Sequence, residues 1–461
     1  MKYISTRDNT KEYNFERVFI KGLADDGGLY VPKLLKKFST EELLKLKNLN
    51  YNELSTEIIS LFSADFISKE ELSSLINKSY STFREKEVVK ISSVGEIKLL
   101  ELFHGPTLAF KDIAMQLIGN LYEYYLSKND KKINIVVATS GDTGAAAIDA
   151  IKGKSNLNIF VLHPNNKISS VQRKLMTTVE EKNVFNIAID GNFDDCQNIV
   201  KQMFSDLEFS KSINMSGVNS INWARIIAQS VYYFYTYFRL NKKTVSFSVP
   251  TGNFGDIFAG YISKKMGLPI DKLIVATNEN DILHRAISKG DYISKTVKET
   301  ISPSMDIQLA SNFERLIYYI NNSDSEITTD IMKKIKKNSY LIDKSSLEII
   351  QKDFLSESCN KEETLSIIKK NYEENNKILD PHTAVGLGAA KKLSLNDCVV
   401  LSTAHPCKFP DAINNAINKH VKLPEELEHL LDKDENFKVL KNNTEEVKQF
   451  IKKEVNENKR K

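Results

Sequence analysis

The chain has 461 residues, enough for roughly two to three domains, and 41% of them are apolar, an ordinary share for a protein with a buried core. Its 64 basic and 60 acidic residues leave a net charge of only +4. Mixed charges of this kind create no extended basic surface, so neither nucleic acid nor a membrane is expected as a partner, and no apolar run reaches the roughly 18 residues that a membrane span needs.

The four cysteines, Cys196, Cys359, Cys398 and Cys407, form no CxxC pair, and none lies beside a histidine at metal-ligand spacing. We therefore expect reduced, mostly buried thiols and no metal site. Residues 1–15 are polar and charged and contain no apolar segment typical of a signal peptide. These features predict a cytoplasmic protein.

The chain begins with a mostly helical pattern over residues 1–95. Segments Thr40–Leu49 and Glu53–Phe62 carry apolar residues three and four positions apart, which is typical of amphipathic helices. A turn signal, Asp25–Gly28, precedes a short extended piece. We expect residues 1–95 to form a mostly helical N-terminal domain.

From residue 96 onward, short apolar and β-branched runs alternate with turns and helical stretches. This pattern predicts an α/β domain with parallel strands covered by helices on both faces. Ligands collect at the carboxyl ends of such strands, so the turns after them are the expected functional positions. The predicted strands are Ile133–Ala138, Ile159–Leu162, Val184–Ile189, Val245–Val249, Leu273–Ala276 and Cys398–Leu401.

Two later stretches read differently. Residues 312–376 are helical and charged with no strand signal, and we interpret them as an elaboration of an α/β domain that spans residues 96–431. Residues 432–461 mix Glu and Lys and are helix-prone. They predict a charged, solvated C-terminal helix or tail.

The first candidate site is His104–Asp112, which follows the apolar run Ile97–Phe103 and opens a helical stretch. Lys111 would stand at this strand-to-helix junction. A helix N-terminus disfavours an ammonium charge and so favours the neutral, nucleophilic amine that an aldehyde cofactor requires. The alternative interpretation is a surface lysine that passes over Phe110.

Two turns after strands are candidate anion sites: residues 138–147 and residues 251–256. Small residues there let the backbone N–H groups of the next helix approach an anion, and Ser140 and Thr143 add hydroxyl donors. The second turn is neither a P-loop nor a G-x-G-x-x-G motif. Ordinary strand–helix turns remain the alternative for both.

A fourth motif, Ser402–Pro406, follows a late strand and offers a hydroxyl that could meet a ring nitrogen, although His405 more often has a structural role. Asp380–Ala384 looks like a capped helix start. One phosphorylated cofactor with an aldehyde would use the lysine, both turns and the hydroxyl, if all four motifs fall at the same edge of one sheet.

These motifs resemble those of the threonine synthase family in residues, order and approximate spacing. The matching segments are STRD (5–8), LADDGGLYVP (23–32), HGPTLAFKD (104–112), ATSGDTGAAA (138–147), VPTGNFGD (249–256) and LSTAHPCKFP (401–410). The resemblance runs from about Tyr3 to Pro410. It implies the fold type II of pyridoxal-phosphate (PLP) enzymes, like that of tryptophan synthase β, with a two-lobed catalytic domain.

The resemblance also implies an activity and residue roles. The family converts O-phospho-L-homoserine and water to L-threonine and phosphate by γ-elimination and β-addition of water, the last step of threonine biosynthesis, and is classed among carbon–oxygen lyases. Carried over by motif, Lys111 holds PLP, Gly252, Asn253, Phe254, Gly255 and Asp256 form the cofactor-phosphate loop, Thr403 faces the pyridine nitrogen, and Ser140, Asp142 and Thr143 lie near the substrate carboxylate.

The substrate itself carries a phosphate, so a second anion site is expected. Arginine is a good candidate because its guanidinium grips phosphate through two donors at once. A surface position or a simple helix start is an equally open interpretation for each candidate. The candidates are Lys167, Ser169, Asn219, Ser220, Asn222 and Arg225.

In the expected mechanism Lys111 takes the Cα proton while the cofactor ring stores the electrons, and the same amine serves later proton transfers. Two alternatives remain open: a related PLP phospho-lyase that releases a keto acid, and a non-catalytic phosphate-binding regulator. We expect a small-molecule substrate and a monomer or homodimer.

Overall fold

Strands and helices alternate along most of the chain, as the apolar periodicity predicts. The computed structural model describes residues 1–458, so residues 459–461 of the predicted C-terminal segment lie outside the described residues. The chain forms two units from separate stretches, one from residues 1–104 and 220–420, the other from residues 105–219 and the residues from 421 onward. The domain boundaries after residues 95 and 431 stay predictions.

The N-terminal part of the first unit is mostly helical. Three of its helices begin with capping boxes, in which Ser39, Asn50 and Ser68 exchange hydrogen bonds with a glutamate three residues later. The elements are β1 (Tyr3–Ser5), α1 (Phe15–Lys21), β2 (Tyr30–Pro32), α2 (Thr40–Leu46), α3 (Tyr51–Ser63), α4 (Lys69–Tyr80), β3 (Lys90–Val94) and β4 (Ile97–Glu101).

All six predicted strands are present after residue 105. Up to residue 219 the elements are α5 (Lys111–Asn129), β5 (Ile133–Ala138), α6 (Asp142–Ile151), β6 (Leu157–Pro164), α7 (Ser170–Thr177), β7 (Val184–Asp190), α8 (Phe193–Ser205), α9 (Leu207–Ser212) and β8 (Met215–Ser216). Those that follow are α10 (Trp223–Leu240), β9 (Val245–Pro250), α11 (Gly255–Lys265), β10 (Ile270–Thr277), α12 (Ile282–Lys289), α13 (Phe313–Ile320), α14 (Ser325–Lys336), α15 (Lys344–Asp353), β11 (Phe354–Ser358), α16 (Lys361–Asn375), α17 (Pro381–Lys392), β12 (Cys398–Ser402), α18 (Pro410–Ile417), α19 (Glu425–Glu428), β13 (Lys438–Lys441) and α20 (Thr444–Asn458).

The first unit contains a six-stranded sheet in the order β11-β10-β9-β12-β4-β3, parallel except for the antiparallel pair β3–β4. On β9, Phe247 packs against Tyr233 of α10, whereas the adjacent Ser248 donates to the Gly386 carbonyl of α17. Successive strand side chains point to opposite faces, so α10 and α17 cover opposite faces of the sheet. The predicted parallel sheet with helices on both faces is confirmed.

The carboxyl ends of β4, β12 and β9 meet at one edge of this sheet. Ser402 of β12 is aligned with Glu101 of β4, and Val400 of β12 with Ser248 of β9. The turns that leave these strands therefore start side by side. This edge carries the residues that follow β9, 251–254, and those that follow β12, 403–405.

The second unit contains an all-parallel sheet in the order β13-β7-β6-β5-β8. The motif at residues 138–147 follows β5 of this sheet, whereas the motifs at 251–256 and 402–406 follow strands of the six-stranded sheet. The expectation that all four motifs share an edge of one sheet is therefore wrong. Apolar patterns predict strands, but strand pairing depends on contacts distant in sequence.

The C-terminal segment is packed rather than solvated, which corrects a second expectation. Strand β13 pairs with β7, and Val447, Ile451 and Val455 of α20 are buried in a cluster that includes Ile187. These three residues are spaced by four and form one apolar face on an otherwise charged helix. Because most residues of the segment are charged or polar, its sequence did not predict this narrow apolar face.

A third correction concerns the stretch 312–376, which contains a strand as well as helices. Strand β11 pairs in parallel with β10 at the edge of the six-stranded sheet. Its five residues include two serines and a glutamate, so the apolar run is too short to predict a strand. Among residues 1–458, no helix is long and apolar enough to cross a membrane.

Candidate active site

Lys111 is the first residue of α5, and only 7% of its surface is exposed. The turn before it is held by Asp112, whose carboxylate accepts hydrogen bonds from the N–H (2.8 Å) and the hydroxyl (2.5 Å) of Thr107. The Nζ atom of Lys111 lies 3.4 Å from a carboxylate oxygen of Asp142. The predicted lysine is thus a buried amine on a rigid helix start, next to a carboxylate.

Asp142 is held in position by its own neighbours. It begins α6, and its second carboxylate oxygen accepts a hydrogen bond from Nε2 of Gln172 at 2.9 Å. The preceding residue, Gly141, has φ +131°, and a Cβ there would lie 2.6 Å from the Gln172 side chain. Glycine alone fits both this backbone angle and the close approach of Gln172. The turn and Gln172 together direct Asp142 toward Lys111.

The turn between β5 and α6 is organised by Thr139. The Thr139 hydroxyl accepts hydrogen bonds from the N–H groups of Gly141 (3.0 Å) and Gly144 (2.8 Å). Helix α6 has no side-chain cap among the described residues, and Ser140 and Thr143 are partly buried at its start. The predicted substrate turn therefore combines two hydroxyls with an uncapped helix N-terminus, which suits an anionic group.

Three further candidates lie in the second unit. Ser169 caps α7, because its hydroxyl accepts a hydrogen bond from the N–H of Gln172 at 3.2 Å. Lys167 and Asn219 are both exposed. Ser169 thus fixes the helix that carries Gln172, while the other two side chains face solvent.

In the first unit, the predicted phosphate loop joins β9 to α11. Phe254 has φ +63°, and α11 starts at Gly255, where no side chain of the described part of the chain caps the helix. Within residues 1–458, the backbone N–H groups of Asn253, Phe254 and Gly255 donate to no other group. A Cβ on Gly252 would lie 2.6 Å from the carbonyl oxygen of Ser304, so the loop packs closely there. Three amides at an uncapped helix start form a cradle for an anion.

Asn312 holds the same loop through its side chain. Its Nδ2 donates to the carbonyl groups of Asn253 (3.0 Å) and Ser220 (3.2 Å). Its Oδ1 accepts a hydrogen bond from the buried guanidinium of Arg315, which also donates to the Ile221 carbonyl at 2.6 Å. Asn312 and Arg315 therefore tie the loop to residues 220–221.

Asp256 faces away from the amide cradle and toward two tyrosines. Its carboxylate accepts hydrogen bonds from the hydroxyls of Tyr232 (2.5 Å) and Tyr233 (3.0 Å). Burial raises the pKa of both tyrosines, and the Asp256 charge raises it further, so both phenols stay protonated. Asp256 thus anchors α11 to α10, and its negative charge is unsuited to contact an anion.

The last group of substrate candidates, Ser220, Asn222 and Arg225, lies at the start of α10. The Asn222 side chain accepts a hydrogen bond from the Ala224 N–H (3.0 Å) and donates to the Phe19 carbonyl (2.9 Å). It therefore has a structural role, capping α10 and tying it to α1. Arg225 is only 4% exposed, and its Nε has no hydrogen-bond partner within residues 1–458. Burial lowers its pKa to about 10, which leaves it charged at neutral pH.

Thr403 directly follows β12 and is 5% exposed. The preceding Ser402 is fixed by a 3.0 Å contact between its hydroxyl and that of Thr383, and by a 2.9 Å hydrogen bond from the Leu102 N–H to its carbonyl. Thr403 therefore extends from a rigid strand end at the edge that also carries the 252–256 loop.

His405 has a structural role in the same segment. Its Nδ1 accepts a hydrogen bond from the Cys407 N–H at 3.3 Å, which caps the short turn Pro406–Lys408. Burial, together with the nearby charges of Arg84 and His104, lowers the pKa of His405 to about 4. The imidazole is therefore neutral at physiological pH.

Four residues of this arrangement are absent from the predicted set: Thr139, Gln172, Asn312 and Arg315. Thr139 stands inside a recognised motif, so its position was a usable signal. Gln172 reaches Asp142 across 30 residues, and Asn312 reaches Asn253 across 59, separations that no local pattern reports. In the part of the chain that is described, no group of three or more His, Cys, Asp or Glu side chains could hold a metal.

Comparison with known proteins gives matches over nearly the whole chain. The family descriptions "Threonine synthase N terminus", "Pyridoxal-phosphate dependent enzyme" and "Threonine synthase, C-terminal" match residues 2–80, 96–330 and 383–451. A threonine synthase from Pseudomonas aeruginosa is 44% identical over 459 residues, covering 98% of both chains.

Solved structures agree with these matches. A PLP-bound threonine synthase from Brucella melitensis is 43% identical, with a TM-score of 0.95 over 99% of both chains. The enzyme from Escherichia coli is 30% identical, with a TM-score of 0.83 over 98% of this chain and 100% of that one. The predicted type II fold of PLP-dependent enzymes is confirmed. The chain belongs to the threonine synthase family of pyridoxal-phosphate-dependent enzymes.

Proposed function

We propose that Lys111, the 252–256 loop and Thr403 carry the threonine synthase reaction of this protein, the conversion of O-phospho-L-homoserine and water to L-threonine and phosphate. The observation that carries this assignment is the buried amine of Lys111 at a fixed helix start beside Asp142. A lysine is otherwise rarely buried to this degree, because desolvating an ammonium is costly.

The residues present fit PLP. Lys111 supplies an amine for the aldehyde, and the N–H groups of Asn253, Phe254 and Gly255 supply a cradle for the phosphate. Gly252 keeps that cradle close to its neighbouring segment, since a Cβ would meet the Ser304 carbonyl oxygen. Thr403 would offer a neutral hydroxyl to the pyridine nitrogen. In this arrangement Asp256 positions the loop through the two tyrosines and does not touch the phosphate.

When bound, PLP withdraws electrons from the amino-acid substrate and makes protons at Cα and Cβ acidic enough to remove. With the cofactor bound, Lys111 would act as the mobile base and acid: it would take the proton from Cα and move a proton from Cβ to Cγ as phosphate leaves. Water would then add its hydroxyl at Cβ and give its proton to the phosphate, and Lys111 would return the proton to Cα. Asp142, held by Gln172, orients the amine between these transfers. Ser140 and Thr143 bind the substrate carboxylate at the N-terminus of α6.

For the substrate phosphate, Arg225 is the strongest of the six candidates. Its guanidinium is buried and its Nε lacks a partner within residues 1–458, so an anion would complete its hydrogen bonding. Ser220 lies in the same stretch. Asn222 and Ser169 act through the fold as helix caps, and Lys167 and Asn219 are exposed and could reach an anion only from solvent.

We also propose that the protein works in the cytoplasm, as a monomer or homodimer. All four cysteines are free and buried, which suits a reducing compartment. Burial raises the pKa of each thiol, of Cys407 for example to about 12, so none is a reactive thiolate.

The test is a spectrum and a product assay on the purified protein. We expect visible absorbance from bound cofactor, cofactor fixed to the chain by borohydride, and equal amounts of threonine and phosphate from O-phosphohomoserine. Phosphate with a keto acid in place of threonine would assign the phospho-lyase alternative. A colourless protein that takes up no PLP would assign the non-catalytic regulator.

A further inference from the structure

The Asp380–Ala384 segment begins α17, a helix that supports both β9 and β12. Ser248 of β9 donates to the Gly386 carbonyl at 2.7 Å. A Cβ on Gly386 would lie 3.0 Å from Val400 of β12 and 3.2 Å from Pro250 at the end of β9. The start of this helix therefore lies beneath the two strands that lead to the 252–256 loop and to Thr403.

Asp380 is the centre of a buried polar cluster at this helix start. Its carboxylate accepts hydrogen bonds from the N–H (2.9 Å) and Nδ1 (3.0 Å) of His382, and from the hydroxyl of Thr383. Asp380, His382 and Thr383 are each at most 3% exposed. A helix cap needs only the backbone contacts, so the two side-chain contacts call for a separate explanation.

His382 connects this cluster to the phosphate loop. The backbone N–H of Ser304 donates to Nε2 of His382 at 3.3 Å, so Nε2 carries no proton and Nδ1–H donates to Asp380. The carbonyl oxygen of Ser304 is the atom against which Gly252 packs. His382 thus fixes the surface on which the loop rests.

Thr383 connects the same cluster to Thr403. The Thr383 hydroxyl donates to Asp380 and lies 3.0 Å from the hydroxyl of Ser402, so Ser402 is the donor in that contact. Ser402 is the last residue of β12, directly before Thr403. Through these two neighbouring side chains, one carboxylate is linked both to the segment that packs on Gly252 and to the residue before Thr403.

We propose that Asp380, His382 and Thr383 are positioning residues that hold the Gly252 loop and the Thr403 hydroxyl at a fixed separation, so that both ends of PLP are gripped together. This rests on the proposed function, in which the loop binds the phosphate and Thr403 the ring nitrogen. His382 acts on the phosphate end and Thr383 on the ring end. If the two residues served only to cap the helix, replacing either would not affect one end of PLP more than the other.

The experiment compares PLP with pyridoxal, which lacks the phosphate, as ligands of the apoprotein. Binding is followed by cofactor absorbance and by the fluorescence of Trp223, the single tryptophan. His382→Asn keeps a donor toward Asp380 but loses the acceptor for Ser304, and His382→Gln places an acceptor near the Nε2 position. We expect His382→Asn to weaken PLP about 10-fold with little change for pyridoxal, and His382→Gln to restore most of the loss.

The ring end is tested with Thr383→Val and Thr383→Ser. The valine removes the hydroxyl, and we expect it to weaken PLP and pyridoxal by a similar factor of about 10, whereas the serine keeps wild-type affinity. If His382→Asn does not fold, as judged by circular dichroism and thermal unfolding of the apoprotein, the Thr383 pair decides alone. The proposal is overturned if Thr383→Val binds PLP and pyridoxal as tightly as Thr383→Ser does. It is also overturned if His382→Asn and His382→Gln each lose the same affinity for PLP as for pyridoxal.

Gly252→Ala and Thr403→Val serve as references that separate the two levels of inference. If these references bind PLP as tightly as the wild type, the proposed cofactor assignment itself fails. If they weaken PLP while the His382 and Thr383 variants do not, the assignment stands and the positioning role is overturned.

Discussion

The amine of Lys111 lies 3.4 Å from a carboxylate oxygen of Asp142, with 9% and 4% of the two side chains exposed. Burying two opposite charges is tolerated when they are close and hydrogen-bonded, and removing one leaves the other uncompensated. Gln172 supplies such a hydrogen bond to Asp142. The amine and its carboxylate are thus prepared by the fold of the second unit itself.

Replacement of Lys111 by Ala is expected to lower threonine formation by at least about 10³-fold, because in the proposed mechanism one amine both holds the cofactor and moves the protons. The variant should also retain no cofactor after borohydride treatment. Lys128→Ala is the matched control, since Lys128 lies on the same helix and is exposed. Wild-type turnover in Lys111→Ala would contradict the assigned role.

Thr139→Val is expected to lower the free energy of unfolding by about 2 kcal/mol, because the N–H groups of Gly141 and Gly144 lose their buried acceptor. Urea unfolding of the apoprotein measures this change. Thr139→Ser keeps the hydroxyl and should lose less than half as much. Equal losses in the two variants would show that the methyl group, and not the hydroxyl, stabilises the turn.

Asn312→Ala is expected to weaken PLP binding by the apoprotein about 10-fold, because the carbonyl groups of Asn253 and Ser220 lose their shared donor and the loop loosens. A titration with PLP measures the affinity. Asn321→Ala is the control: Asn321 ends the same helix, and among residues 1–458 its side chain donates only to the Ile317 carbonyl. Similar PLP affinities for the two variants would show that Asn312 does not hold the loop in its binding conformation.

His405 predicts a loss of stability in acid. Its pKa is about 4 in the fold, below the ordinary value of 6.5, so unfolding takes up a proton between these values. The stability that His405 contributes is therefore complete above about pH 6.5 and is lost as the pH falls toward 4. His405→Asn keeps an acceptor for Cys407 and should reduce this pH-dependent loss by about 2 kcal/mol, allowing for partial exposure. Urea unfolding at pH 7 and 4.5 measures this difference. An equal loss of unfolding free energy between the two pH values in the wild type and in His405→Asn would contradict the prediction.

Ile451→Ala is expected to lower the free energy of unfolding by about 3 kcal/mol, because Ile451 is fully buried in the core of the second unit. The nearby Lys453 is exposed, and Lys453→Ala should change the free energy of unfolding by less than about 0.5 kcal/mol. Equal effects of the two substitutions on urea unfolding would mean that the C-terminal helix is solvated after all.

Much of the fold and the site could be predicted because the relevant information is local. Val245–Val249 reads as a buried strand from five consecutive residues, and Lys111 is recognised from the residues beside it. The boundaries agree closely: β5 is Ile133–Ala138 in both prediction and structure. Backbone turns and helix starts depend on neighbouring residues, so a turn such as that at residues 251–256 can be predicted from the sequence.

Other features depend on which distant segments meet. Strand pairing assigned the motifs to two sheets and placed β11 at a sheet edge, and side-chain packing buried one face of α20. The motif around Asp256 does not indicate whether its carboxylate faces an anion or two tyrosines. The position of α10, which supplies Tyr232 and Tyr233, decides this. The sequence by itself determined the family, the six predicted strands and the place of Lys111 at a strand-to-helix junction, because short-range chemistry encodes them. The tertiary structure decided how these parts are held, since Asn312, Gln172 and His382 act through contacts made across 30 to 78 residues of chain.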